Sequence, residues 1–230
     1  MFAVIFVVHP KEGHKDEYLG LAKQLKPILE SIDGFIDNER FASERTEGDV
    51  LSLSTWRDEK SLVRWRTQAE HHEIQRKGRD EVFKDYHLRV GEITADSHPP
   101  TGDLVDEQRF DETEIGRAKI CTITEVLPVT NSSLIGRSSE LPMHLGLDVE
   151  ISGLVDYVVF QSITNPGKLL LLVDWQNAKA AQTWSPQTCA GVLSLRHRQV
   201  RIVRNYGMDD RREAPQYYPA VLADNTRNHR

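Results

Sequence analysis

Residues 34–65, GFIDNERFASERTEGDVLSLSTWRDEKSLVRW, lie over residues 153–184, GLVDYVVFQSITNPGKLLLLVDWQNAKAAQTW, at a constant offset of 119 and without a gap. Ten of these 32 positions are identical: Gly34/Gly153, Asp37/Asp156, Phe41/Phe160, Ser43/Ser162, Gly48/Gly167, Leu51/Leu170, Leu53/Leu172, Trp56/Trp175, Lys60/Lys179 and Trp65/Trp184. Tryptophan is rare, so two tryptophan pairs in register mark an internal duplication. Within each stretch, two runs rich in β-branched and aromatic residues flank a turn, Thr46-Glu47-Gly48-Asp49 in the first copy, which is the pattern of a hairpin.

The pattern extends outward in both directions. Ala3–Val8 is an unbroken apolar run, as expected of a central strand covered on both faces. A helix is predicted from His14 to Ser31, with Tyr18, Leu21, Ala22, Leu25, Ile28, Leu29 and Ile32 at helical spacing; Pro27 is expected to kink or restart it. Beyond Trp56, Asp58 has the character of an N-cap for a second helix through Leu62, Trp65 and Ala69, and Val82–Thr94 reads as a closing strand. The second copy repeats the order with Ile120–Leu127, Leu154–Thr164, Leu169–Trp175, a helix from Asn177 and Ser194–Tyr206. Gly136, Pro142 and Gly146 predict that its first helix is short or broken.

The expected fold class is therefore α+β, with two tandem βαββαβ modules, each an antiparallel sheet with both helices on one face. The expected boundaries are a first module over 1–97, an acidic linker over 98–116, a second, degenerate module over 117–208 and a polar, mobile C-terminal tail over 209–230, of which Tyr217-Tyr218-Pro219 is expected to dock. The sheet face opposite the helices needs a partner. The sequence leaves open whether the sibling module supplies it or a second chain does, in a homodimer.

At net charge −6, with 39% hydrophobic residues, the chain can bury real cores and lacks the basic footprint of a nucleic-acid binder. No run approaches the length of a membrane span. Two cysteines, Cys121 and Cys189, are too few for a disulfide framework and are expected to be reduced, which points to the cytoplasm. No HxxxH or CxxC spacing occurs, so no metal site is expected.

Glu39–Ile93 contains Ser54-Thr55-Trp56-Arg57-Asp58-Glu59, Trp65, Ala69-Glu70-His71, Gln75, Gly78-Arg79 and Tyr86, and in these residues it resembles the antibiotic biosynthesis monooxygenase family. The resemblance implies ferredoxin-like modules assembled as a dimeric α+β barrel. It also implies either a cofactor-free oxygenase acting with O2 on a reduced, hydroquinone-like aromatic, or a heme-degrading enzyme. The heme-degrading pattern needs an asparagine on the first strand, where Phe6 stands, and a ligating histidine near Gln75, whereas the histidines here are His71 and His72.

The favoured expectation is thus a monooxygenase without cofactor that binds a small aromatic. The alternative is a non-catalytic module that binds a small hydrophobic ligand or simply assembles. For the enzyme, neutral imidazole suits the base. On a continuous helix His72 falls on the stripe Leu62–Trp65–Ala69, with His71 about 100° away, so His72 and then His71 are the catalytic candidates. Trp65, Arg40, Tyr86 and Trp56 are the substrate-binding candidates: Arg40 to hold an anionic oxygen, the aromatics as walls. The duplication preserves both Trp56 and Trp65, which core packing also explains. No histidine in the second copy matches His71 or His72, so the site is expected in the first.

Overall fold

The computed structural model describes residues 1–102, 105–130, 132, 134, 136–187 and 191–215. The first module runs β1 (Phe2–Pro10), α1 (Lys15–Ser31), β2 (Phe35–Ser43), β3 (Val50–Trp56), α2 (Glu59–Arg66), α3 (Ala69–Lys77), a π-helical turn (Gly78–Val82) and β4 (Phe83–Asp96). The second runs β5 (Ile120–Pro128), a 3-10 turn (Ser138–Glu140), α4 (Leu141–His144), β6 (Leu154–Ser162), β7 (Leu169–Trp175), α5 (Ala178–Ala181) and β8 (Val192–Gly207). Among the described residues no helix is long and apolar enough to cross a membrane.

The eight strands close into one antiparallel barrel in the order β1-β3-β2-β6-β7-β5-β8-β4. The modules therefore pair within the chain, which answers the question the sequence left open. They join edge to edge at two seams of unequal length. β4 and β8 pair from His87↔Gly207 to Asp96↔Arg198, whereas β2 and β6 pair only at Phe41↔Ser162, Ala42↔Gln161 and Ser43↔Phe160.

Alternation along each strand sends one set of side chains into the barrel and the other under the helices. Ala3, Ile5, Leu51, Leu53, Ile93, Cys121, Ile123, Leu170, Leu172, Val200 and Ile202 fill the interior together with Phe41 and Phe160; the duplication preserves three of these pairs, Phe41/Phe160, Leu51/Leu170 and Leu53/Leu172. Trp56 and Trp175 point the other way and are fully buried beneath their own helices. Cys121 is buried and free; Cys189 lies outside the described residues.

The structure adds detail to four of these local expectations. α1 runs through Pro27 as a single helix, so the proline does not restart it. The second helix does begin at an Asp58 cap, whose carboxylate accepts from the Ser61 amide at 2.7 Å, but it stops at Arg66 and restarts at Ala69. The Thr67 hydroxyl donates to the Val63 carbonyl at 3.0 Å and Gln68 is extended, and Ser/Thr back-bonding of this kind competes with helix continuation. The linker is stitched down and not merely solvated: the amides of Gln108 and Arg109 donate to buried Glu92, and Thr113 is buried. The tail starts fixed as well, through Glu213. Tyr217-Tyr218-Pro219 lies outside the described residues.

The long seam needs Gly91. A Cβ there would collide with the Val200 side chain and sit 2.7 Å from the Arg201 carbonyl oxygen. Gly91→Ala is expected to cost about 1–3 kcal/mol of stability by overpacking. Gly20→Ala, on the open face of α1 with nothing within 4 Å, is expected to add about 0.5–1 kcal/mol. Equilibrium urea unfolding of the two variants checks both signs.

Candidate functional site

Beneath the helices the two copies differ. In the second, Leu134, Leu141, Leu145 and Leu147 pack onto Val159, Leu171, Val173 and Trp175, and Trp184 stacks on Trp175 with ring centroids 6.2 Å apart. That space is filled. In the first, the corresponding space is a cavity of about 210 Å³. At the repeat offset of 119, its lining residues Asn38, Arg40, Ser52 and Ser54 stand where the second copy has Tyr157, Val159, Leu171 and Val173. More polar side chains replace filling ones at four positions, on two adjacent strands.

The cavity wall is largely aromatic and aliphatic. Phe6, Tyr18, Phe83 and Tyr86 form a cluster of tilted and edge-to-face rings with centroids 5.6–6.3 Å apart, and Leu21, Leu25, Leu62 and Ile74 complete the apolar surface. Gly78 lets the π-helical turn pass over the Phe83 ring, which a Cβ would strike at 2.5 Å, and the same turn carries Arg79 into the lining. Asn38 is held by its amide donating to Ser52 Oγ at 3.1 Å and to the Leu53 carbonyl at 3.0 Å.

The break between α2 and α3 decides which histidine faces this space. His71, not His72, is among the lining residues, along with Ile74 and Gln75 one turn further on. The continuous-helix geometry that favoured His72 does not exist, and Ala69 is exposed instead of lying on an apolar stripe. His71 stacks on Trp65 at 3.9 Å between centroids and 16° between planes. Its Nδ1 lies 3.0 Å from the Trp65 carbonyl, which can only accept, so Nδ1 carries the hydrogen. Nε2 is then left with a lone pair, 3.3 Å from the Gln75 side-chain nitrogen. Burial holds the ring neutral and pushes its pKa down to about 4, against the smaller opposing effect of the Trp65 carbonyl.

Arg40 also reaches the lining. Its Nε is buried without a hydrogen-bond partner, and its charge lies near the Tyr18 hydroxyl, whose pKa burial raises despite that cation. Of the remaining candidates, Trp65 and Tyr86 line the cavity. Trp56 does not; it is fully buried, donates to Ser54 Oγ at 3.0 Å and packs edge-on against Phe35. Thr188, Cys189 and Ala190, which lie in the second copy's neighbourhood of His71 and His72, are outside the described residues.

Arginine is the residue type that the sequence reading undercounted. Arg66, Arg79, Arg204 and Arg211 join Arg40 in the lining, and among the described residues none of the five has a carboxylate within 4 Å. The lining's acid, Glu59, is neutralised by Arg109 of the linker at 2.7 Å. The cavity therefore presents net positive charge in a chain of net charge −6. Comparing the two copies position by position would have exposed Asn38, Ser52 and Ser54. No local signal marks Arg204, Tyr206 or Arg211, which reach the first module only because β8 pairs with β4. Among the described residues no cluster of three or more His, Cys, Asp or Glu side chains could hold a metal ion.

The antibiotic biosynthesis monooxygenase family model matches residues 1–77. A jasmonate monooxygenase of Pyricularia oryzae is 39% identical over 223 residues, spanning 95% of this chain and 99% of its own. The chain belongs to the antibiotic biosynthesis monooxygenase family. Among solved structures, an anthrone oxidase-like protein is 13% identical, with 94% of this chain and 96% of that one covered and a TM-score of 0.36. A protein from Shewanella oneidensis is 15% identical over 39% of this chain and 86% of its own, with a TM-score of 0.37.

The depressed pKa of His71 has a consequence for acid stability. The unfolded chain binds the proton near pH 6.5 while the folded protein resists it until about 4. Stability is therefore expected to fall as the pH drops from 6.5 toward 4, with no contribution from this ring above that window. Imidazole resonances followed by NMR are expected to show His71 neutral at pH 5.5; a midpoint near 6.5 would mean that the ring is solvated.

Proposed function

We propose that the chain is a monooxygenase whose reaction takes place in the first-module cavity, on a small, mainly apolar substrate that carries an anionic oxygen. The observation that carries this reading is an aromatic-walled cavity in which several arginines lack acidic partners. A substrate with an apolar body and an anionic end satisfies both halves of it. Jasmonate, the acid named in the Pyricularia oryzae relative, fits the class, and a reduced aromatic fits it as its phenolate.

The chemistry consistent with these residues draws all its electrons from the substrate. His71 Nε2 takes one proton from a methylene flanked by an oxygen-bearing π-system. The charge moves onto the substrate oxygen facing Arg40, and the carbanion adds O2. Protonation of the peroxide and loss of water leave a carbonyl. The methylene and O2 thus become a carbonyl group and one water, the methylene carbon supplying all four electrons, with no outside reductant. A base with a pKa near 4 supplies little driving force alone, so the transfer depends on Arg40 stabilising the oxyanion. Trp65 holds the His71 ring in place by stacking and by its carbonyl. A non-catalytic ligand-binding module is the second reading, favoured by the preservation of Trp65 in both copies.

Oxygen uptake by the purified protein with jasmonate and with polycyclic hydroquinones tests the proposal against heat-treated protein. His71→Ala is expected to lower the excess uptake by about 10²–10⁴-fold, the usual contribution of a general base. Arg40→Leu is expected to lower it by a comparable factor. Binding without any excess uptake would leave the ligand-binding reading.

A further inference from the structure

The first-module cavity is not completed by the first module. β8 belongs to the second copy, yet its pairing with β4 (Leu88↔Tyr206, Val90↔Arg204) carries Arg204 and Tyr206 into the cavity lining. The chain then turns back at Gly207, whose amide donates to the Asp210 carbonyl at 2.9 Å, and Met208 and Ala214 pack against the cluster of Tyr18, Phe83, Tyr86 and Tyr206. Arg211 and Pro215 of this returning strap reach the cavity as well.

Two neighbouring side chains on the strap behave differently. Arg212 pairs with Asp210 in the ordinary way, at 2.5 Å. Arg211 is exposed but reaches back to the cavity, donating to the Tyr86 hydroxyl and lying 5.8 Å over the Tyr206 ring, with no carboxylate within 4 Å among the described residues. Its charge thus faces a neutral phenol at the edge of an apolar cavity. Two residues further on, Glu213 pins the strap. Its carboxylate accepts from the Thr113 hydroxyl at 2.8 Å and from the amides of Glu114 at 2.7 Å, Ile115 at 3.3 Å and Asn205 at 2.6 Å. A carboxylate given four donors, three of them on the linker and one on β8, fixes the strap to both.

We propose that Arg211 is a specificity residue for the anionic end of the substrate, delivered to the first-module cavity by the strap Met208–Pro215 and held there by the Glu213 latch. The incoming anion takes over the guanidinium from Tyr86, at the opposite end of the substrate from the oxygen that Arg40 holds. This proposal rests on the functional reading above and gives the degenerate second module a direct part in the site.

The test is calorimetric titration of the full chain with jasmonate and with its uncharged methyl ester. Arg211→Met is expected to weaken jasmonate about ten- to a hundredfold and leave the ester within about twofold, with Arg211→Lys recovering part of the preference. Glu213→Ala is expected to speed the release of both ligands, read by stopped-flow. Equal losses for acid and ester in Arg211→Met, or no loss for either, would overturn the assignment of Arg211 while the functional reading stands. Failure of both ligands to bind the unaltered protein would overturn the functional reading and this assignment with it.

Discussion

Closure of the barrel depends on two arginines that point into it. Arg89 on β4 and Arg198 on β8 occupy equivalent places in the two copies, and their side chains are 4% and 1% exposed. Each reaches across to the other module's third strand: Arg89 to Asp174 on β7, Arg198 to Thr55 on β3 at 3.0 Å. Asp174 and Thr55 are themselves equivalent at the repeat offset of 119. Arg198 is completed by Glu125, which also holds Lys168, and Lys168 in turn binds Glu39 of the first module. Burial works against the charge on Arg89, but Asp174 more than offsets it, and its pKa is raised. Removing one partner of such a pair typically costs about 3–5 kcal/mol, because the other is stranded without solvent. The pairs therefore specify how the modules meet, with the apolar waist of Ile5, Ile123, Phe41 and Phe160 supplying the hydrophobic stabilisation between them.

The barrel interior is shared between the modules, whereas each helix-covered face belongs mainly to one of them, and the two faces have diverged. The second collapsed onto itself: α4 is one turn long, four leucines descend onto the sheet, and Trp184 lies on Trp175. The first kept its long α1 as a roof at a distance from the sheet. Its Trp65 stacks on His71 at the edge of the cluster that contains Trp56. One copy is filled and the other holds a cavity, and the two share one barrel. The second copy also contributes β8, and Arg204, Tyr206 and Arg211 line the cavity together with residues of the first.

Charge is distributed in the same asymmetric way. Several acidic side chains near the seams are already engaged, such as Glu92 with Arg201, Asp96 with Arg196, and Glu59 with Arg109. What is left without a carboxylate around the cavity is arginine. These arginines are half-buried or, for Arg211, exposed, so their charge is partly screened and adds little to the stability of the fold.

The duplication, the strand order within each module, the Asp58 cap and the weakness of the second module's first helix were all legible in the chain before it folds. Each is written in local periodicity or in residues that only one backbone geometry accommodates. Of the residues singled out in the chain, Arg40, Trp65, His71 and Tyr86 meet around one cavity, whereas His72 and Trp56 do not reach it. Closure of the modules on each other within the chain was not legible, since an unpaired sheet edge does not encode its partner. Nor was the choice of His71 over His72, which turns on a two-residue break at Thr67-Gln68 that helical periodicity averages away. Finally, three-dimensional folding alone brought Arg204, Tyr206 and Arg211 to a cavity built mainly from residues far earlier in the chain, because that proximity is a property of the β4–β8 seam and not of any stretch of sequence.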